Sequence, residues 1–313
     1  MASAPQSGPS PAVGRLAAEF VLDFLRSAAR VSEHDFIDGV IRTAILNANV
    51  RHIAAEPETS FAYAGFNTPL PDGMRRPASI NAIAGSLDLP FETVRRRIHA
   101  LAERDMVLET RDGVILAQRQ LVTPQMQVFA QSNYDALLKL YRDLTRLAPE
   151  FSPLADAVAG ETQPEAPVDE PVRLAMRFTS GFVLRYLEVS RPIAGELFNA
   201  ILFLAVAVLN VEHITHSQEA SARYAAPGAA VPDEARRRVS VRRLAGELGL
   251  SFETVRRRAA VLVERGACAR DAEGLYVTQR ILLDDLLVAH RRDAAASLQR
   301  LFTALWRLGV VFD

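Results

Sequence analysis

The chain has 313 residues, of which 49% are hydrophobic and 23% are charged, and its formal net charge is -1. These proportions fit a globular protein of about two domains and exclude collagen, a disordered acidic chain and a bundle of membrane helices. A single cysteine, Cys268, excludes a disulfide framework and a cysteine-rich zinc site. We expect a reducing, cytoplasmic location, since the first residues also lack the apolar core of a signal peptide.

After a predicted disordered tail (residues 1–11), apolar residues at helical spacing predict one helix over residues 16–29 and another over residues 33–54. The segment that follows, residues 56–77, is rich in proline, glycine and alanine. A connection of that length is unusual in a compact domain and is typical of a mobile or a functional segment.

Residues 75–121 predict a short helix, a second helix and a β-hairpin. Ser79 is placed to cap the short helix, and the next helix is predicted to bury one stripe formed by Phe91, Val94, Ile98 and Leu101, which Phe252, Val255, Ala259 and Leu262 repeat. Two strands are predicted around Asp112-Gly113, a favoured hairpin turn. Thr123-Pro124 then predicts the start of a long final helix, because proline suits the first helical position.

Residues 236–282 repeat residues 75–121 at a constant offset of 161, with 21 of 47 positions identical and no gap. We call residues 75–121 module 1 and residues 236–282 module 2. The similarity extends outward and predicts two complete copies, residues 12–149 and 171–313, joined by a proline- and acid-rich linker over residues 150–170. In the later copy the second helix, residues 193–213, is apolar almost all round, which predicts a central, buried position.

The order helix, turn, helix, hairpin resembles the winged helix-turn-helix, and FETVRRRIHALAERDMV resembles the recognition helix and following strand of bacterial transcription regulators. The flanking helices resemble the MarR type, in which terminal helices pair two protomers. The resemblance implies a mainly α fold with small β-hairpin wings. It also implies two tandem winged-helix domains that form an intramolecular pseudo-dimer with a helical core and bind double-stranded DNA.

Positive charge is concentrated in the two modules. Residues 75–104 hold six arginines against three acidic residues, and residues 236–265 hold nine against three, so the rest of the chain is acidic. A recognition helix in the major groove reads base edges, and arginine can donate two hydrogen bonds to guanine. The base-reading candidates are Glu92, Thr93 and Arg96 in module 1 and Glu253, Thr254 and Arg257 in module 2.

Other arginines are candidates for the DNA backbone, whose phosphates position a protein without reading sequence. They are Arg75, Arg76, Arg95, Arg97, Arg236, Arg237, Arg256 and Arg258. Arg111 at the first hairpin tip is a minor-groove candidate, whereas the second tip carries Ala272 and Glu273. The matched helices predict related half-sites, inverted if the copies pair about a pseudo-twofold axis and direct if they lie in tandem.

We expect no enzyme and no cofactor, because no catalytic or nucleotide-binding motif is present. His213 and His216, with Glu212 or Glu219, could hold a metal, but hydrogen-bonded histidines are favoured. Cys268 is expected in the core rather than as a redox sensor. A small apolar effector could bind among aromatic residues that ordinary packing explains equally well, namely Phe182, Tyr186, Phe198, Phe203, Phe302 and Trp306.

Two alternatives to a transcription regulator stay open. The chain could be a plasmid replication initiator or chromosome-organising DNA-binding protein, since some initiators carry paired winged helices. It could also be a protein-interaction scaffold whose winged helices no longer contact DNA.

Overall fold

The computed structural model describes residues 9–33, 35–148, 151–154, 158–166, 170–226 and 229–312. Within these residues the chain is mainly helical and carries two small antiparallel sheets of two strands each, as predicted. The predicted disordered tail lies outside the described residues as far as residue 8. Its last part is folded, because Ser10 is buried, its hydroxyl donates to the carbonyl of Ala225, and Pro11 begins the first helix.

Thirteen α-helices and four strands are present among the described residues. The helices of the first half are α1 (Pro11–Arg30), α2 (Phe36–Val50), α3 (Pro57–Ala62), α4 (Ile80–Leu87), α5 (Phe91–Glu103) and α6 (Pro124–Leu147). Those of the second half are α7 (Val172–Ala194), α8 (Leu197–Thr215), α9 (Gln218–Arg223), α10 (Val241–Leu248), α11 (Phe252–Glu264), α12 (Gln279–Leu282) and α13 (Asp285–Trp306). The strands are β1 (Leu108–Thr110), β2 (Gly113–Ile115), β3 (Ala269–Arg270) and β4 (Leu275–Tyr276).

Both modules begin with the predicted serine cap. The Oγ of Ser79 accepts a hydrogen bond from the amide of Ala82 at 3.1 Å, and the Oγ of Ser240 accepts one from Arg243 at 3.2 Å. Each bond satisfies an amide that the first turn of a helix leaves unpaired. The same short helices end in left-handed residues, Asp88 and Gly249, which turn the chain sharply into α5 and α11.

The hairpin of module 1 turns one residue earlier than predicted. Thr110 pairs with Gly113, so Arg111 and Asp112 form the turn and Gly113 opens the second strand. Gly113 has a φ of 137°, and a Cβ there would lie 2.5 Å from the carbonyl oxygen of Ala78, which bridges β2 on its other side. Glycine is therefore required at this point by close backbone approach as well as by conformation.

A buried asparagine joins the second helix of each copy to its module. The Nδ2 of Asn49 donates to the carbonyls of Arg76 and Val114, at 2.8 and 3.0 Å, and its Oδ1 accepts from Leu116 at 2.9 Å. Asn210 makes the equivalent three bonds in the second copy. Because both side chains are fully buried, these bonds fix where α2 and α8 lie against the hairpins.

The chain divides into two compact units, each built around one module. The module-1 unit includes α7 as far as Glu188, and the module-2 unit includes α1 as far as Leu22, so each unit contains a helix from the other predicted copy. In the module-1 unit Arg177 of α7 donates to Ser60, and in the module-2 unit Arg15 of α1 donates to the carbonyl of Ser221. The compact units thus differ from the predicted copies by an exchange of the first parts of α1 and α7 and of the ends of the two copies, residues 140–155 and 301–313.

Part of the predicted linker is also attached to the fold. Residues 150, 155–157 and 167–169 lie outside the described residues. In the described part Gln163 donates to the carbonyl of Val310 at 2.9 Å, and Glu161 pairs with Arg307 at 2.6 Å. The proline-rich composition predicted a linker that does not order itself, but these two contacts attach its described part to the module-1 unit.

Helix α8 is apolar on nearly every face. It is the one helix in the described part of the chain that is long and apolar enough to cross a membrane by length and composition, with a mean hydropathy of 1.9. Most of that stretch, 78%, is buried inside the protein. The predicted burial of this helix is therefore confirmed, although it begins four residues later than predicted.

Candidate nucleic-acid interface

The helices α5 and α11 present the same surface. Each buries a stripe against its own module, with Val94 and Ile98 in α5 and Val255 and Ala259 in α11 all inaccessible to solvent. The predicted stripes also included Phe91 and Phe252, but both are exposed in the first turn, so that part of the prediction is wrong. On the outer side lie residues shared by both sequences, namely Glu92, Arg95 and Arg96 in α5 and Glu253, Arg256 and Arg257 in α11. A buried stripe fixes the helix, so the outward side chains are held in equivalent positions in the two modules.

The first arginine of each triplet is paired along its own helix. Arg95 donates to Glu92 at 2.8 and 3.0 Å, and Arg256 donates to Glu253 at 2.7 and 2.9 Å. The hydrogen bond from Arg256 lowers the pKa of Glu253. These pairs are exposed and contribute little to stability, so Arg95 and Arg256 can turn to an external anion at small cost.

The second arginine of each triplet, Arg96 or Arg257, is exposed. Neither makes a hydrogen bond or an ion pair with any residue that the structure describes. The threonines beside them, Thr93 and Thr254, are half-buried, and Thr254 is bonded to the helix-capping Ser251 at 2.8 Å. Each helix therefore offers one unengaged guanidinium at its outward centre, and these two are the strongest base-reading candidates.

The third arginine of each triplet is used inside the protein, which corrects its predicted role. Arg97 donates to Asp35 at 2.9 Å and to Asp38 at 2.6 Å, both at the start of α2. In the second copy Arg258 donates to Glu196 at 2.5 Å and lies over the ring of Phe198. Since these guanidinium groups bind the start of α2 and the start of α8, we remove Arg97 and Arg258 from the DNA-backbone candidates.

Arg75 and Arg236 are also misplaced by the sequence reasoning. Both are buried, with 5% of their surface exposed. Arg75 donates to the carbonyl of Leu70 at 2.7 Å, and Arg236 donates twice to that of Val231, at 3.0 and 3.2 Å. A buried guanidinium bonded to main chain does not reach the phosphates of a duplex outside the protein, so the predicted DNA-backbone contact is wrong for both.

The next residues in each module, Arg76 and Arg237, are placed as a phosphate contact requires. Their side chains are exposed, while their main chains are held by Asn49 and Asn210. Arg76 lines a groove of about 760 Å³ in the module-1 unit together with Arg51, Arg185 and Ser79. The groove gives the module-1 unit a second concentration of positive charge beside α4.

The hairpin tips differ as predicted from the sequence. Arg111 is exposed in the turn of module 1, whereas Ala272 and Glu273 occupy the tip of module 2. Beside that second hairpin the sequence reasoning missed Arg238, which lies 3.9 Å from the ring centre of Tyr276 and pairs with Asp271 at 2.9 Å. A guanidinium stacked and paired in this way is fixed, so it stiffens the hairpin.

Two further exposed arginines of module 2, Arg242 and Arg243, were not singled out. They lie in α10, where module 1 has Asn81 and Ala82, and Arg243 pairs with Glu212 at 3.2 Å. The excess of arginine counted over residues 236–265 was the signal that could have identified them. They enlarge the positive surface of module 2 relative to module 1.

The remaining polar candidates do not form a metal centre. No group of three or more metal-ligating side chains occurs among the residues that the structure describes. His216 lies 2.6 Å from Glu19, outside the predicted set, and burial together with the charge of Arg237 lowers the pKa of His213. Cys268 is buried on the strand side of module 2, and burial raises its pKa to about 12.

Two cavities lie in the module-1 unit, and each has three arginines among its lining residues, although most of the residues that line the smaller one are apolar. The larger is the groove beside Arg76, and the smaller, of about 40 Å³, is lined by Arg75, Arg173 and Arg177. The aromatic residues predicted for an apolar effector line neither of them. That effector stays a prediction.

No family model, curated protein or solved structure matches the chain. Its function is therefore inferred from its own residues.

Proposed function

We propose that the protein is a sequence-specific, double-stranded DNA-binding transcription regulator. In this proposal both modules are winged helix-turn-helix domains, and α5 and α11 are recognition helices that enter major grooves at two related half-sites. The observation that carries it is the matched pair Arg96 and Arg257, exposed at the same position of two near-identical helices and unengaged by any described residue.

The surrounding charges supply the contacts that position such a helix. Arg76 and Arg237 are exposed at the start of the two modules. Arg95 and Arg256 lie on α5 and α11, and Arg111 lies at the first hairpin tip. Phosphate contacts from arginine provide most of the affinity for a duplex and make it depend steeply on salt. With the rest of the chain acidic, this charge favours one face of each module for DNA.

A MarR-like organisation, with two protomers joined in one chain, is part of the proposal. The repeat at an offset of 161 supports it, as do the matched asparagine, serine and arginine contacts of the two modules. The inclusion of a first helix from the opposite copy in each compact unit supports it further, because pairing through terminal helices requires such sharing.

The test is equilibrium binding of the full chain to fragments selected from genomic DNA, at a stated salt concentration. We expect Arg96→Ala and Arg257→Ala each to weaken specific binding by about 1 to 3 kcal/mol, or roughly 5- to 150-fold, and to relax sequence preference at one half-site. Arg292→Ala, which removes an exposed arginine of α13, is the matched control and should stay within about twofold.

Unchanged affinity and sequence preference in the double variant would show that these arginines do not read bases and would favour the scaffold alternative. The location of the selected fragments separates the other alternative. Single sites at promoters support a transcription regulator, whereas an array at a replication origin supports an initiator. Half-site orientation, inverted or direct, is read from the same fragments.

A further inference from the structure

Three arginines converge inside the module-1 unit. Arg75 comes from the segment before α4, while Arg173 and Arg177 come from the first turns of α7. Arg75 is 5% exposed and the other two are half-buried, and all three line one small cavity. We call this set the arginine triad.

The hydrogen bonds that the triad donates within the described residues go to neutral groups. Arg75 donates to Leu70, Arg173 donates to Phe66 and Leu121, and Arg177 donates to Ser60 and Tyr63. All but one of these acceptors are main-chain carbonyls and the other is a serine hydroxyl, so none of them neutralises a positive charge. The described contacts bring one carboxylate to the triad, that of Asp72, whose Oδ1 lies 3.4 Å from the Nε of Arg75.

The charges of the triad repel one another. Burial, together with the charges of Arg75 and Arg177, lowers the pKa of Arg173 to about 10. Burial and the charge of Arg75 likewise lower the pKa of Arg177 to about 10. One buried and two half-buried like charges with one partly exposed carboxylate are an arrangement that a bound anion would stabilise.

The cavity has a donor and a size that suit such an anion. The Nη1 of Arg75 is buried and makes no hydrogen bond with any residue that the structure describes. The cavity measures about 40 Å³, whereas a single water needs roughly 10 to 15 Å³. A small anion fits, and an organic ligand of ordinary size does not.

The module-2 unit carries three related arginines, although no described interaction joins the third of them to the other two. Arg236 and Arg15 are the repeat equivalents of Arg75 and Arg177, but the third guanidinium comes from Arg291 of α13. Arg291 donates to Leu282 just as Arg173 donates to Leu121, the residue equivalent to Leu282. Three such arginines are therefore a repeated feature of the fold.

The two sets of arginines differ in the space beside them. The repeat equivalent of Arg291 is Ala130, whose small side chain lines the cavity of the module-1 unit. In the module-2 unit the stem of Arg291 runs instead against Gly14, close enough that a Cβ there would lie 3.0 Å from its Cδ. Ala130 thus leaves room in one unit that an arginine stem uses in the other.

From this geometry we propose that the cavity between Arg75, Arg173 and Arg177 binds a small inorganic anion no larger than phosphate. The positive charges of Arg75, Arg173 and Arg177 hold the anion, and its charge offsets the mutual repulsion of the triad. The anion links α7 to the start of module 1, just before α4. The proposal is independent of DNA binding.

The test is thermal unfolding of the full chain in sodium gluconate, whose anion is too large for the cavity, with millimolar phosphate or chloride added at constant ionic strength. A ligand that binds only the folded state raises Tm by mass action, so above Kd we expect a rise that grows with the logarithm of the anion concentration and reaches about 5 °C at 100 times Kd. Calorimetric titration with phosphate and with chloride gives the two affinities and shows which anion the site prefers.

Two variants locate the site and a third is the control. Arg75→Lys keeps the charge but removes Nη1, and Ala130→Leu fills the cavity, so each should raise Kd tenfold or more. Arg236→Lys makes the same change as Arg75→Lys in the other unit and should leave Kd unchanged. General salting effects of phosphate rise in proportion to its concentration and persist in Ala130→Leu, whereas the effect of binding follows the logarithm of concentration and is weakened in that variant.

The absence of saturable binding by either anion in the unaltered chain would overturn the proposal. So would wild-type Kd values in Arg75→Lys or Ala130→Leu, or an equal loss in Arg236→Lys. If Arg75→Lys fails to fold, Ala130→Leu and the unaltered chain still decide the question.

Discussion

Module 1 and module 2 build the same junction from Asn49 and Asn210, yet where α4 carries Asn81 and Ala82, α10 carries Arg242 and Arg243. The junction bonds are buried and have no substitute from water, so a change there leaves donors and acceptors unpaired. Exposed positions carry no such penalty. The comparison shows which features the fold requires and which the two modules have varied.

The varied positions change charge. Module 2 gains Arg242 and Arg243, while module 1 alone has an arginine, Arg111, at its hairpin tip. If both modules bind duplex DNA as proposed, they share the central arginine contact and differ in the number and place of their phosphate contacts. The half-sites would then be related in sequence and unequal in strength, with the module-2 site more sensitive to salt.

The arginine that follows the shared reading position also differs in its partners. Arg97 meets two carboxylates, Asp35 and Asp38, whereas Arg258 meets one, Glu196, together with the amide of Asn199 at 3.4 Å. Arg97 holds α5 to the start of α2, and Arg258 holds α11 to the start of α8. The first does so mainly through charge and the second partly through stacking on a ring.

The largest expected effect is the loss of a junction. Asn49→Ala and Asn210→Ala each remove three buried hydrogen bonds, and we expect each to lower the free energy of unfolding by about 4 kcal/mol, because the freed groups stay buried. Urea unfolding measures the loss. Asn81→Ala, which truncates an exposed side chain, should change stability by less than about 0.5 kcal/mol. A loss at one junction and none at the other would break the equivalence of the modules.

Next in size is the glycine that lets each hairpin approach the preceding segment. Gly113→Ala would place a Cβ 2.5 Å from Ala78, and Gly274→Ala would place one 2.7 Å from Val239, both at strongly positive φ. We expect each change to cost about 3 kcal/mol, from backbone strain and displacement of the strand. Gly85→Ala is the control, since nothing lies near its Cβ position. Unfolding curves in which Gly113→Ala matches Gly85→Ala would contradict the close approach.

The ion pairs of Arg97 and Arg258 should contribute to stability by different amounts, and the contribution of Arg97 should depend on pH. At pH 7 we expect Arg97→Ala to cost about 2 kcal/mol and Arg258→Ala about 1 kcal/mol, below the range for fully buried pairs because Asp35 is 40% exposed and screened. Burial would raise the pKa of Asp35, but hydrogen bonds from the Asp38 amide and Arg97 outweigh it and leave the pKa below the usual 3.8.

A folded-state pKa below the unfolded value gives stability that is present above pH 3.8 and lost as the pH falls through the folded pKa. The difference between the unaltered chain and Arg97→Ala should therefore shrink in strong acid. Urea unfolding at pH 7 and at pH 3 measures it. A difference that is constant with pH would mean that Arg97 acts by packing rather than by charge.

Periodicity and short-range chemistry predicted much of the fold. The buried stripe through Val94 and Ile98, the cap at Ser79 and the helix start at Pro124 are all confirmed, because each depends on residues within one or two turns of one another. The exposure of Arg96 followed from the same stripe. Its unengaged state did not, since that depends on what the rest of the chain places nearby.

Contacts made across long sequence separations could not be predicted. Arg97 lies on the flank of its helix, and the carboxylates that bind it are about 60 residues earlier, so its pattern is the same as that of a solvated arginine. The burial of Arg75 was missed because a buried arginine is rare. One signal was present for both Arg75 and Asn49, namely identity between the copies outside the recognition-helix candidate, which indicates a structural role.

The smallest expected effect concerns the one cysteine. Cys268 occupies the position that Val107 has in module 1, and the two side chains are 3% and 2% exposed. Because the site already accepts valine in a homologous module, we expect Cys268→Val to change the free energy of unfolding by less than about 1.5 kcal/mol. Burial raises the pKa of the Cys268 thiol to about 12, so it stays protonated at pH 8 and should react with a thiol reagent only after unfolding in urea. Rapid modification of the folded chain would show that the strand edge of module 2 opens, and that the two modules are less alike in their interior than their bonds indicate.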